Sequence, residues 1–222
     1  MVSVNKGKWD RKLGPSNVQL DFCVSWIMAC KRVLKPNGAI WISGTYHSIY
    51  TVGYALQLAG LHLLNEISWF KPNGSPCLGC RCFTASHESL LWAKKSPKAK
   101  HCFNYDEAVN GDWSKDFLKS PGKQMRSVWS IPTPGPKEKV SGRHPTQKPI
   151  ALLNRIISTT TRPGETILDP FSGSSTTGIV AQRLGRKFIG IETSKRYLSL
   201  SVRRFSAGMA RNFSYASESG VL

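Results

Sequence analysis

The stretch Thr166-Ile167-Leu168-Asp169-Pro170-Phe171-Ser172-Gly173-Ser174-Ser175-Thr176-Thr177-Gly178 constrains this chain more than any other. Residues 166–168 are apolar and partly β-branched, which predicts a short buried strand. Gly173 and the hydroxyl residues around it suit a tight turn into a helix N-terminus, where Ser and Thr can satisfy orphan amides. The helix is expected to run through Arg183, with Gly185 in the C′ position. Residues 187–192 then read as a second strand ending on Glu192. That acid follows the turn by roughly 20 residues, the offset of a ribose-binding carboxylate in a nucleotide-binding βαβ unit. A Gly-Lys-Ser/Thr phosphate loop is absent, which argues against a triphosphate. A ribose-bearing cofactor without a phosphate chain fits the segment, and so does a plain βαβ crossover; these residues alone do not choose.

Charge narrows the partner. Lys and Arg number 31 against 13 acids among 222 residues, a formal charge of +18. Such an excess points to a polyanion, and DNA or RNA is the commonest; an anionic membrane surface or a ribosome-type partner are the alternatives. Seven Trp, nine Phe and a 40% apolar content argue for a folded core rather than a disordered basic tail. No uncharged apolar run of about 18 residues is present and no signal peptide is recognised, so a cytoplasmic protein with free thiols is expected. Cys77, Cys80 and Cys82 in CLGCRC resemble half of a metal site, with Cys102 or His101 as a candidate fourth ligand. The second well-spaced pair of a structural zinc site is missing, so ordinary loop thiols and no metal are expected.

Along the chain, residues 1–16 read as a basic loop and residues 17–34 as an amphipathic helix. A turn at 35–38, a buried strand at 39–43, a helix at 48–59 stopped by Gly60 and a strand at 63–70 follow. A long loop and a strand at 88–95 complete this half. The alternation predicts a doubly wound or related sheet. From Ser96 to Arg143, Pro, Gly and Lys dominate and apolar periodicity is lost, while Phe103, Tyr105, Trp113, Phe117 and Trp129 are scattered through. Basic residues interleaved with aromatics suit contact with phosphates and bases; a solvated insertion anchored by its aromatics is the alternative. HPTQKP at 144–149 precedes a helix with Leu152, Leu153, Ile156 and Ile157 as its core stripe and Pro149 in its first turn.

HPTQKP, followed by LDPFSGSSTTG and GRKFIGIE, together with LKPNGAIWISG and ISWFKPN, resembles the β-ordered amino-methyltransferases of DNA from restriction-modification systems. The resemblance runs over nearly the whole chain and is closest to the adenine-N6 branch, with cytosine N4 as the alternative substrate. It implies an α/β, Rossmann-like S-adenosylmethionine-dependent methyltransferase sheet with a basic target-recognition insertion. The implied divisions are residues 1–95 and 144–222 as two parts of one α/β domain, with 96–143 as the insertion. Asp169, Phe171, Gly173, Ser174, Ser175 and Thr176 would form the cofactor pocket and Glu192 would accept the ribose hydroxyls. His144, Thr146 and Lys148 would lie near the methionine end, and Trp69 and Lys71 near the flipped base. DNA is the implied partner. The chain departs from the family twice. Ser175 stands where a second Gly is usual, and no Pro-Pro pair occurs, so the Pro-Pro-aromatic catalytic loop is absent. An N-terminally truncated member that is inactive alone is therefore expected. A homodimer or second chain supplying the piece, or a non-catalytic nucleic-acid-binding relic, are the alternatives.

Overall fold

The computed structural model of the chain describes residues 16–218, so the expected loop over residues 1–16 lies, but for Ser16, outside the described residues. The chain divides into two compact units between Pro132 and Thr133. The first contains helix α1 (Ser16–Val33), strand β1 (Ala39–Gly44), helix α2 (Ile49–Leu58) and strands β2 (His62–Phe70) and β3 (His87–Lys94). Helix α3 (Tyr105–Asn110) and the short strand β4 (Val128–Ser130) complete it. The second contains helix α4 (Ile150–Thr160), strand β5 (Thr166–Asp169), helix α5 (Thr176–Arg183), strand β6 (Lys187–Gly190) and helix α6 (Lys195–Glu218).

The first unit's sheet has the order β1-β3-β2-β4. β3 runs antiparallel to both neighbours, and β4 pairs parallel with β2. Alternation along the strands separates two faces. Ile40 and Ile42 of β1, with Leu91 and Ala93 of β3, join Cys23 and Ile27 of α1 and Val52, Ala55 and Leu56 of α2 in one core. On the opposite face Trp41 and Trp92, which are register partners, stack with centroids 5.1 Å apart and planes within 8°. Trp129 of β4 lies 6.0 Å from Trp41. The stretch expected as an irregular insertion thus contributes a sheet strand. Trp113 and Trp129 are buried anchors there, whereas Tyr105 and Phe117 are exposed. Local periodicity could not reveal β4, because a three-residue strand owes its existence to its partner rather than to its own pattern.

The second unit's sheet is the parallel pair β5-β6, with Leu168 opposite Ile189. The expected single sheet is therefore two sheets among the described residues. β1 ends one of them, and each strand of the β5-β6 pair has a neighbour on one side only. Leu168 remains 38% exposed and Ile189 55% exposed. Parallel strands of this apolar type are normally covered on both faces. α4 begins at Ile150, with Pro149 as its N-cap rather than in its first turn, at φ −71° and ψ 146°. The carboxylate of Glu138 accepts the Ile150 N–H at 2.9 Å, satisfying an orphan amide and placing a negative charge at the positive end of the helix.

Gly185 follows the C-cap of α5 with φ +71°, the left-handed residue that ends the helix. Gly178, inside α5, has a different reason. A Cβ there would come within 2.7 Å of Phe205 and closer still to Phe188, whose rings pack with centroids 6.2 Å apart. Ala would raise helix propensity by about 1 kcal/mol, but overpacking two rings costs ~1–3 kcal/mol. Gly178→Ala should therefore be neutral to destabilising despite the better helix former. Urea unfolding would read this as an unchanged or lowered midpoint, and a raised midpoint would show that the rings move aside without cost.

Candidate cofactor site

Strand β5 delivers the chain to Asp169, and the backbone then turns through residues 170–175 into α5. Asp169 ties this turn at both ends: Oδ1 accepts the Phe171 N–H at 3.1 Å, and Oδ2 accepts the Thr177 hydroxyl at 2.6 Å. The ladder to the neighbouring strand continues past β6, with Ile191 N donating to Asp169 O and Ser172 N to Ile191 O. Glu192 is thereby set beside the turn. Its Oε2 accepts the Gly173 N–H at 2.9 Å and its Oε1 accepts the Ser194 N–H at 2.7 Å. Gly173 has φ +52°, and a Cβ on it would lie 3.1 Å from Nε2 of His144. Glycine is needed there for both the backbone angle and the close approach.

His144 comes from the HPTQKP segment and packs its ring 4.2 Å from that of Tyr197, in an edge-on arrangement. The Thr146 N–H donates to Nδ1 at 3.3 Å, so Nδ1 is the unprotonated nitrogen and the neutral ring carries its proton on Nε2. Burial pushes the His144 pKa below its ordinary 6.5; Glu192 opposes the shift, while Arg204 and Lys148 reinforce it. Gln147 of the same segment is buried. Its Nε2 donates to Glu138 O at 2.9 Å, and its Oε1 is a buried acceptor without a hydrogen-bond partner.

Ser175, the N-cap of α5, has φ +53° and ψ +38°. A side chain in that region costs of order 1–3 kcal/mol. Its hydroxyl is absorbed into a buried relay. Ser172 and Ser175 hydroxyls lie 2.6 Å apart, Ser175 donates to Ser201 at 3.0 Å, and Ser201 donates to Gly173 O at 2.9 Å. Beside it the buried Arg204 donates to Ser174 O at 2.5 Å and to the Thr176 hydroxyl at 2.9 Å. Ser201 and Arg204 on α6, and Gln147, are residues that the sequence reading did not single out. The first two lie more than 25 positions from the groups they hold, and only the fold reveals them.

The structure thus assembles Asp169, Gly173, Ser174, Ser175, Thr176, Glu192, His144 and Thr146 in the second unit, with Phe171 exposed on the turn. Trp69 and Lys71 belong to the first unit. The Trp69 side chain is 2% exposed and donates its indole N–H to Ile131 O at 2.6 Å. Lys71 pairs with Glu88 at 3.0 Å and lies 5.2 Å from the Trp69 ring centroid.

Two outcomes are expected. Ser175→Gly relieves the backbone but loses two buried hydrogen bonds at about 1 kcal/mol each; Ser175→Ala loses the bonds with no relief. Urea unfolding should place wild type and Gly within about 1 kcal/mol of each other and Ala below both, the last two separated by about 1–3 kcal/mol of backbone strain. An Ala variant as stable as wild type would mean that the relay contributes little. For His144, the unfolded chain binds more protons than the folded one between the lowered folded pKa and 6.5. Its contribution is therefore present above pH 6.5 and lost as pH falls through that window. His144→Gln should flatten the decline in stability between about pH 7 and 5, measured by urea unfolding at each pH. An identical decline in the variant would assign the pH dependence to other groups.

The chain is similar to known proteins over most of its length. The sequence pattern of the N6_N4_Mtase family, described as DNA methylase, matches residues 3–203. Type II methyltransferase M2.DpnII of Streptococcus pneumoniae is 49% identical over 208 residues, which is 93% of this chain and 74% of that protein. Type II methyltransferase M2.MboI of Moraxella bovis is 46% identical over 205 residues, 91% of this chain and 71% of that one. The crystal structure of an M1.HpyAVI–SAM complex is similar with a TM-score of 0.67 and 33% identity, over 82% of this chain and 81% of that one. The cytosine-N4-specific PvuII DNA methyltransferase reaches a TM-score of 0.72 at 21% identity, covering 86% of this chain and 71% of that one, a likeness of fold alone. The chain belongs to the N6_N4_Mtase family of DNA methylases.

Proposed function

We propose that this chain binds S-adenosylmethionine at the β5–α5 turn and serves methyl transfer to adenine N6 in DNA as part of a restriction-modification system. The observation that carries the reading is the convergence on Gly173: a left-handed glycine, its N–H on Glu192 and the neutral ring of His144 against it. The residues fit the cofactor. Glu192 already receives two amides, and its remaining lone pairs can accept ribose hydroxyls. Gly173 lets the His144 ring close against the turn. Asp169, Phe171, Ser174, Ser175 and Thr176 shape the turn, and Thr146 and Lys148 flank His144. The cofactor supplies an electrophilic methyl group; the protein's share is to hold it, exclude water and keep cations away.

Residues 96–143 are the candidate target-recognition segment, in which exposed Tyr105 and Phe117 can stack on bases while Trp113 and Trp129 hold the segment down. Trp69, buried as it is, would act toward a flipped base by supporting the surface around it, with the Lys71–Glu88 pair nearer to solvent. The 222 residues contain no Pro-Pro pair. The resemblance puts the strand that carries the Pro-Pro-aromatic loop beside β5, whose exposed Leu168 and one-sided pairing suit such a neighbour. A further segment or a second chain would supply the acceptors that activate the amine, so the 222 residues by themselves should show no turnover. Among the described residues no helix is long and apolar enough to cross a membrane.

Two measurements test the reading. Glu192→Ala should lower adenosylmethionine affinity by about 1.5–3 kcal/mol in titration calorimetry, with unfolding checked in parallel; unchanged affinity would remove Glu192 from the site. Joining a strand with Asp-Pro-Pro-Tyr to the chain should give transfer of labelled methyl to unmethylated DNA, recovered as N6-methyladenine. N4-methylcytosine would assign the other amine, and robust transfer by the 222 residues alone would show that the catalytic groups lie elsewhere.

A further inference from the structure

The loop joining β2 to β3 carries three of the six cysteines, and the cofactor site uses none of them. Sγ of Cys77 and Sγ of Cys82 lie 3.1 Å apart in an exposed part of this loop. Cys80, between them, takes the left-handed φ of 50° and donates its N–H to Cys77 O at 3.1 Å. This reversal brings the backbone N–H groups of Gly79, Arg81 and Cys82 to the Cys77 sulfur, a small amide nest of the kind that holds anions. Thr84 fixes the start of the loop by accepting the Cys77 N–H at 3.4 Å. The third thiol turns away, with Cys80 Sγ against Leu78 O at 3.9 Å. The two facing sulfurs are also unlike. The hydrogen bond from Cys82, then the amides, hold Cys77 below the ordinary thiol value. The same bond and the Cys77 charge push Cys82 above it. Cys23 and Cys30, by contrast, are pushed up by burial in the helical layer.

We propose that Cys77 and Cys82 form a dithiol modification site whose reactant is a small-molecule disulfide, with Cys77 as the attacking sulfur and Cys82 as the resolving one. Cys77 thiolate attacks one sulfur of the small disulfide; a new S–S bond forms, the old one breaks and one thiolate leaves. Cys82 then loses its proton and attacks the Cys77 sulfur, releasing the second thiolate. Two electrons pass from the cysteine pair to the reactant, which leaves as two thiols carrying the two protons. The product is a ring closed from Cys77 to Cys82 that contains Arg81, immediately before the fully exposed Phe83. Closure would fix the tip of the loop that joins β2 to β3. The proposal stands apart from the cofactor reading, because it concerns no residue of that site.

The experiment treats the full chain with glutathione disulfide and counts thiols after denaturation. The count should fall from six to four, the intact mass should drop by two hydrogen atoms, and peptide mapping should join Cys77 to Cys82. Cys80→Ser should behave as wild type apart from its missing thiol. Cys82→Ser should stop at a glutathione adduct on Cys77, and Cys77→Ser should form no link. A lasting glutathione adduct on wild-type Cys77, a link through Cys80 or six unreacted thiols would each overturn the assignment.

Discussion

The carboxylate of Glu192 joins the end of the β6 strand to the turn that leaves β5, and the second unit is organised around that junction. Both oxygens are engaged, one by the Gly173 N–H and the other by the Ser194 N–H. Charge-assisted bonds of this kind are roughly twice as strong as neutral ones. The first fixes a glycine whose left-handed angle disfavours a side chain, and the second aims the chain into α6. Helix α6 then returns Ser201 and Arg204 to the same turn, where they hold Gly173 O and Ser174 O. The strand end, turn and returning helix thus close a loop of hydrogen bonds that includes both the N–H and the C=O of Gly173 and the carbonyl of Ser174.

This closure explains how a serine is tolerated at a position where the resemblance leads one to expect glycine. Ser175 keeps a left-handed angle that disfavours a side chain by about 1–3 kcal/mol. Its hydroxyl sits between those of Ser172 and Ser201, and two buried bonds at about 1 kcal/mol each offset a strain of that size. The departure is therefore local and compensated.

The sequence disclosed those parts of the molecule that follow local rules. The strand begun at 166–168, the helix ending before Gly185 and the acid beyond β6 were readable because β-branching, turn chemistry and spacing act within a few residues. The helix and strand alternation of the first unit was readable from periodicity. β4 was not, since Val128–Ser130 is a strand only because β2 offers it an edge. The left-handed angle of Ser175 was not readable either, because a composition of Ser, Gly and Thr permits several turn paths. Ser201 and Arg204 carry no signal in their own segment; their partners lie 26–30 positions away in the chain. Pro149 shows a smaller limit: the rule favouring proline at a helix start fixed the place but not whether the residue caps the helix or begins it.

The distribution of charge links the two ligands of the reading. The whole chain carries +18, yet residues 163–182, which contain β5 and the turn, include neither Lys nor Arg. Two like charges 4 Å apart repel by about 4 kcal/mol at an effective dielectric near 20, so a cation on this turn would oppose a cofactor bearing a sulfonium. His144, the titratable group against Gly173, is held toward its neutral form by burial. The one buried guanidinium nearby, Arg204, spends its donors on Ser174 O and the Thr176 hydroxyl. The stretch that forms the turn thus carries no Lys or Arg of its own, and the guanidinium that reaches it from α6 is tied to the turn's own acceptors. A chain whose net charge suits a polyanion can in this way still present a turn open to a sulfonium.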